Sequence, residues 1–403
     1  MPRLRSIKIY LLAFSALTLT LLLLLFPAAA MEASLRGIAI WWEILFPTLL
    51  PFIIVSEIML GFGLVHFMGA LFDPIMRPLF RIPGIGGFVM AMGFASGYPV
   101  GARLTSQLWE QKLVTREEGE RLVAFTTSSD PIFLIGAVSV GFFHSTQLAV
   151  ILATAHYGGA LLVGLMMRFH SKNSTPSPKS ASASAASPLI LRAFQAMHEA
   201  RLKDGRTIGQ LLRDAVTSSL HMIFVIGGLV VFFSVVMELF RQAYLLQWLE
   251  QLAGGFFALL SIPAPLTDSI VNGLFEVTLG AKAAAEASAQ TPLMYKAMLA
   301  AIVLSWGGLS VHGQIVSLLY RTNIRYTPFL LARVAHSLFA AMLVVVLWKP
   351  LTIATEVWLP FSAPNYSFDW LNSLQGNMKA FILLILILLA GSFLAKLLRF
   401  KSK

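Results

Sequence analysis

Residues 93–103, GFASGYPVGAR, set the tightest limit on how this chain can fold. They are too rich in Gly and Pro for an ordinary helix and too apolar for a surface loop. Further on, SSDPIFLIG at 128–136 breaks a second apolar run with Asp130 and Pro131. The apolar runs dominate, because 57% of the 403 residues are hydrophobic and only 12% are charged. Soluble domains sit near about 45–50% and about 25%. A soluble fold of this length cannot bury so much apolar surface, so the chain reads as an all-α polytopic membrane protein. Irregular backbone at membrane depth is tolerated only where it is buried in protein or lines a cavity. The two breaks are therefore the first candidates for a substrate site.

The sequence has no cysteine. That excludes disulfides, thiolate metal sites, a Cys nucleophile and S-acylation. A net charge of +11 would suggest nucleic acid in a soluble protein. Here it reads as the positive-inside bias of a cell-membrane protein, with no nucleic-acid partner. No cofactor and no metal site is expected.

About eight transmembrane helices and two re-entrant hairpins are expected, each span needing about 20 apolar residues. Residues 1–36 hold an N-terminal anchor helix, its apolar run at 7–26. A cleaved signal peptide competes, but the run exceeds the roughly 7–15 residues of a signal core. Residues 37–169 form a first repeat: a span at 37–60, a connecting helix at 62–82, a broken hairpin at 83–111, a charged turn at 112–121, a broken span at 121–143 and a span at 146–168. The hairpin arms, of about 12 residues each, are too short to cross. Residues 170–206, basic and rich in Ser, Ala and Pro, read as a flexible cytoplasmic tether with room for one short helix. Residues 207–349 form the second repeat, with spans at 218–240, 293–318 and 327–348, an interfacial piece at 241–263 and a second hairpin at 264–290. Residues 350–403 supply a loop and an eighth span at 379–398.

The two repeats answer each other. Gly101-Ala102-Arg103 matches Gly280-Ala281-Lys282, Glu57 matches Glu238 and Ser128 matches Ser305. Three crossings per repeat would point the halves in opposite directions. Inverted repeats with paired discontinuous segments are the mark of secondary transporters, whose site lies near the midplane. With the N-terminus inside, most of the 30 Lys and Arg residues fall on the cytoplasmic side, with Arg36, Arg241, Lys296, Lys349 and Lys379 outside.

Charges inside a membrane are expensive and usually functional. Arg103 and Lys282, at equivalent hairpin positions, are candidates to attract an anion, together with backbone N–H groups around Ser96, Gly97 and Tyr98. Snorkelling to an interface is the competing reading. Ser128, Ser129 and Asp130 offer hydroxyls and an acid that binds a coupling cation, pairs with Arg103, or caps the next helix. Asn272, Glu276 and Thr278 mark the tip of the second hairpin, with Glu276 a second carboxylate for a coupling ion, proton or sodium. Ser305, Ser310, His312 and Gln314 are the polar counterpart in the sixth span, though a lone His is more often a packing residue. Tyr98 would stack on an aromatic ligand or simply pack. An enzyme would need a Ser/His pair from Ser96, Ser310, His312 and His336, and no HExxH, P-loop or GxGxxG before a strand is present. The chain is not expected to be an enzyme; a non-transporting scaffold or receptor is the third class.

At FASGYPVGAR, SSDPIFLIGAV, GLFEVTLGAK and SWGGLSVHGQ, the sequence resembles the sporulation integral membrane protein family of the YlbJ type from endospore-forming bacteria. The resemblance covers nearly the whole chain and is weakest in the linker and the C-terminal stretch. Each half also resembles the nucleoside-recognition Gate domain, and the architecture is similar to concentrative nucleoside transporters. The resemblance implies two re-entrant hairpins and two unwound helices around a small anionic substrate, in a transport domain that moves against a scaffold. It further implies movement of dipicolinic acid (pyridine-2,6-dicarboxylate) out of the mother cell across the outer forespore membrane during sporulation. A carrier for nucleosides or another small solute is the alternative. The bilayer and a coupling ion are the remaining partners, with a homo-oligomer left open.

Overall fold

A computed structural model describes residues 2–172, 177 and 189–358, and every regular element among them is helical. The predicted eighth span at 379–398 lies outside the described residues. The chain begins with α1 (Pro2–Leu25) and α2 (Pro27–Ala39). A π-helical stretch (Ile40–Leu45) then carries α2 into α3 (Phe46–Gly61). Pro27 has no N–H to continue the preceding ladder but suits a first helical turn. The chain accordingly bends by 102° between 13–25 and 27–43. Gly63, at φ +77°, ends the next stretch and starts α4 (Leu64–Phe80), with a bend of 83°.

The first hairpin is α5 (Gly86–Ser96) and α6 (Tyr98–Glu110); the second is α12 (Thr267–Phe275) and α13 (Val277–Glu286). Glycines let the arms touch. A Cβ on Gly93 would lie 3.4 Å from the Gly101 Cα, and one on Gly280 only 2.3 Å from the Gly273 Cα. Ser269 Oγ donates across the second pair to the Gly280 carbonyl at 2.9 Å. Small residues permit this close approach where hydrophobicity alone gives no drive to pair.

Each hairpin is followed by an interrupted helix, standing where a broken span is expected, and a long helix. In the first half these are α7 (Arg116–Thr126), a π-helical segment (Ile132–Phe142) and α8 (Gln147–Met167). After α9 (Leu189–Asp204), α10 (Ile208–Gln242) and α11 (Leu245–Leu259), the second half supplies α14 (Leu293–Trp306), α15 (Gly308–Leu319) and α16 (Tyr326–Trp358). The order of elements at 27–167 thus recurs at 208–358. Among the described residues, four stretches are long and apolar enough to cross a membrane: Gln147–Met167, Ile208–Gln242, Leu293–Leu319 and Tyr326–Leu351. The two bent pairs raise this to 6 if each is one span.

One expectation needs correction. The predicted charged turn at 112–121 is mostly helix. Thr115 and Glu118 form a capping box at the start of α7, with bonds of 3.3 and 2.9 Å. Glu118, Glu120 and Arg121 are buried rather than solvated. Glu120 accepts from Arg325 Nε at 2.7 Å and from His170 Nε2 at 2.7 Å. Arg121 donates to the carbonyls of Arg81, His170 and Ser171. These bonds tie the start of α7 to the end of α8 and to the entry into α16. Glu120→Ala should lower the thermal unfolding temperature by several degrees, whereas Glu286→Ala, on an exposed i,i+4 pair, should leave it unchanged.

The described part of the linker holds the short helix expected there. Its α9 docks on α4, with the Phe194 and Phe67 rings 5.0 Å apart and the Met197 carbonyl against Gly63. Ala193 and Ala196 form the buried stripe, and basic residues in its last turn suit the helix dipole. The corner into α10 is closed by Arg206, which pairs with Asp204 at 2.7 Å and Asp214 at 3.4 Å. The Arg206 hydrogen bonds hold the Asp204 carboxyl below its ordinary range.

Candidate functional site

Four helix breaks build the site. They fall at Gly97 between α5 and α6, at Thr127–Pro131 after α7, at Glu276 between α12 and α13, and at Gly307 between α14 and α15. Each break exposes backbone N–H groups on one side and carbonyls on the other. Two of the new N-termini are capped by acids. Asp130 Oδ1 accepts from the Phe133 N–H at 2.9 Å. Glu276 accepts from the Leu279 N–H at 2.8 Å and from Thr278 Oγ1 at 3.1 Å. The other two, α6 at Gly97 and α15 at Gly307, carry no side-chain cap. The acid therefore sits at the span break in the first half and at the hairpin break in the second.

Within each half, the acid-bearing break rests on the glycine break. A Cβ on Gly97 would lie 3.1 Å from Asp130 Oδ2. One on Gly308 would lie 2.8 Å from the Phe275 carbonyl and 3.0 Å from the Glu276 Cα. Between halves, Tyr98 Oη donates to the Leu304 carbonyl at 2.6 Å.

Two unbroken helices stitch the breaks together. His156, on α8, takes the Ser129 N–H on Nε2 at 3.0 Å, so that nitrogen carries the lone pair. Nδ1–H then donates to Ser305 Oγ at 3.1 Å, and Ser128 Oγ lies 2.9 Å from Nε2. His156 thus spans both broken spans. His336, on α16, donates from Nε2 to the His156 carbonyl at 2.7 Å. Arg333, one turn earlier, donates to the carbonyls of Thr127 at 2.6 Å, Ser305 at 3.4 Å and Ala124. All three side chains are fully buried.

The family model Gate, described as nucleoside recognition, matches residues 42–186. Sporulation integral membrane protein YlbJ of Bacillus subtilis (strain 168) is 42% identical over 370 residues, covering 92% of this chain and 89% of the relative. This chain belongs to the YlbJ family. No solved structure matches. It is accordingly an integral membrane protein of a sporulation family, in keeping with its apolar helices. The Gate match takes in the first hairpin and the first broken span of this YlbJ-family chain.

Most of the sequence-predicted residues lie at the four breaks. Ser96, Gly97 and Tyr98 form the first tip; Ser128, Ser129 and Asp130 form the first span break; Glu276 and Thr278 form the second tip; Ser305 and Ser310 flank the second span break. His312 is engaged by Tyr326 Oη at 2.7 Å and the Trp306 carbonyl at 3.2 Å, with its ring 4.2 Å from Trp306. Gln314 is buried on α15. Three residues stand apart. Arg103 bonds Ser218 Oγ at 2.8 Å and lies 3.6 Å from Glu57. Lys282 is half-exposed and 3.7 Å from Glu286. Asn272 is held by Asp268 and Arg241. The reason for the two cations is geometric: each lies six residues past its break, about 9 Å down a helix that rises 1.5 Å per residue.

Sequence reading missed His156 and Arg333 and gave His336 no part in binding. Signals for them existed. Arg333 is a charge inside an apolar helix, the kind of residue that is usually functional. His156 and His336 are 180 positions apart, the interval at which the repeats answer each other. Around the breaks, Ser96 Oγ, Ser129 Oγ, Ser310 Oγ, Arg333 Nε and His336 Nδ1 are buried without a hydrogen-bond partner. Buried polar atoms are rarely left so.

Proposed function

We propose that this protein is a secondary carrier that moves dipicolinic acid from the mother cell across the outer forespore membrane. The observation that carries the reading is the pairing of two uncapped helix N-termini, at Gly97 and Gly307, with the unpartnered hydroxyls of Ser96, Ser129 and Ser310. Helix N-termini attract anions through their free N–H groups and dipole. Two such ends suit the two carboxylates of a planar dianion. The buried guanidinium of Arg333 adds positive potential at the two span breaks, on the carbonyls of Thr127 and Ser305.

The two halves then act as inverted repeats in a bundle of eight crossings, with the hairpins entering from opposite sides. The hairpins and broken spans carry substrate, and α10 with the α2 and α3 helices packed on it forms the scaffold. Asp130 and Glu276 carry the coupling, since each caps a helix when ionised and frees that N-terminus when protonated. A carrier suits the site better than a hydrolase. The Nε2 lone pair of His156 already accepts a backbone N–H, and Ser96 and Ser310 have no base. The Gate match favours a second reading, a carrier for nucleosides.

Uptake of labelled dipicolinate by vesicles containing the purified protein separates the two. Saturable uptake, displaced by unlabelled dipicolinate and indifferent to nucleosides, is the expected result; displacement by nucleosides would transfer the assignment. Ser96→Ala and Ser310→Ala should each weaken apparent affinity by about tenfold, the equivalent of about 1.4 kcal/mol. Neither should lower the unfolding temperature, because neither hydroxyl has a protein partner to lose. Arg103→Ala and Lys282→Ala, altered outside the breaks, should retain most of the uptake.

A further inference from the structure

Arg333 presents an arrangement that the carrier reading alone does not require. Its guanidinium is wholly buried on an unbroken helix. Its hydrogen bonds run to backbone carbonyls, and they come from the C-terminal ends of both broken spans: Ala124 and Thr127 at the end of α7, Ser305 at the end of α14. These carbonyls have lost their intrahelical partners to the breaks and lie at the negative ends of two half-helices. Among the described residues, no carboxylate lies within ion-pairing distance of Arg333. Asp130 and Glu276 are occupied as helix caps. The positive charge is thus balanced by helix ends alone.

In carriers built on broken helices, that cluster of carbonyls is what holds a coupling sodium ion. We propose that Arg333 is a tethered cation standing in the place of such an ion, so that this protein transports without sodium. The proposal rests on the carrier reading and narrows its coupling. The guanidinium fills the carbonyl cluster permanently, and like-charge repulsion keeps a second cation out. Coupling is left to the protons of the two capping acids, and the single fixed charge draws in an anionic substrate.

The test begins without substrate. Thermal unfolding of the purified protein in detergent is measured in sodium chloride and in choline chloride at equal ionic strength. The wild type should unfold at the same temperature in both; saturable stabilisation by sodium would overturn the proposal whatever the substrate is. Arg333→Ala should unfold several degrees lower in choline and recover part of that loss with millimolar sodium or methylguanidinium, as a ligand confined to the folded state requires. A folded Arg333→Ala protein that neither cation stabilises, or one as stable as the wild type in choline, also overturns it. Vesicle uptake of dipicolinate completes the test. Wild-type initial rates should be equal with and without a sodium gradient. Those of Arg333→Ala should fall by about tenfold or more, through loss of a charged contact, and rise again with either added cation. If Arg333→Ala does not fold, the wild-type sodium measurements still decide. Sodium-indifferent stability with no dipicolinate uptake would count against the substrate and leave the tethered cation standing.

Discussion

His156→Ala should destabilise the protein by about 3–5 kcal/mol, because it strips partners from several buried polar groups at once. The Ser129 N–H, Ser128 Oγ and Ser305 Oγ would all lose the ring that now joins them. Their positions are fully buried, so water cannot easily take the ring's place. The effect should exceed that of His312→Ala, whose ring bonds one hydroxyl and one carbonyl at a less enclosed place. Chemical unfolding in detergent gives the comparison. A loss below about 1 kcal/mol, the worth of a single ordinary hydrogen bond, would mean that His156 does not join the two broken spans. Transport should be lost with the stability, since the two breaks would no longer hold a common geometry.

Gly308→Ala should abolish transport while leaving the protein in the membrane. Gly308 adopts φ +75°, where an L side chain is strained by about 1–3 kcal/mol. Its Cβ would also press on backbone atoms, the Phe275 carbonyl at 2.8 Å and the Glu276 N at 3.0 Å. Backbone cannot step aside as a flexible side chain can, so the second hairpin tip must lift off the broken span. Gly97→Ala, at φ +91° and ψ −178°, should act alike at the first tip, with Asp130 as the group displaced. Gly136→Ala is the control, with nothing within 4 Å. Vesicle uptake beside unfolding temperature is the measurement; normal uptake in Gly308→Ala would show that the tight contact of tip and span is dispensable.

Much of the arrangement was readable from the chain. The break at GFASGYPVGAR stands out because Gly and Pro cluster there and together weaken a helix, and its partner at GLFEVTLGAK because it sets a carboxylate in an apolar run. SSDPIFLIG and SWGGLSVHGQ mark the broken spans for the same reasons. Charge was harder to place. KLVTREEGER reads as a charged turn, yet Glu118 accepts from Ser177, Glu120 from His170 and Arg325, and Arg121 donates to the carbonyls of Arg81, His170 and Ser171, all distant in sequence. Arg103 and Lys282 looked like site residues because their hairpin positions match. Period alone says nothing of depth, and six residues of helix carry each away from its tip.

Composition and periodicity by themselves determined that this is a helical membrane protein, that its element order recurs, and where its helices must break. These are local properties: hydropathy, missing N–H groups and positive φ act on the residues that possess them. Only the tertiary structure decided which charges meet the breaks. Asp130 against Gly97, Glu276 against Gly308, and Arg333 on the carbonyls of both spans are contacts between separate elements. A buried charge is settled by whichever partners the packing brings within hydrogen-bond reach, and the order of residues along the chain does not state that. GFASGYPVGAR is accordingly one of four breaks that the packing brings together, joined by two helices that do not break at all.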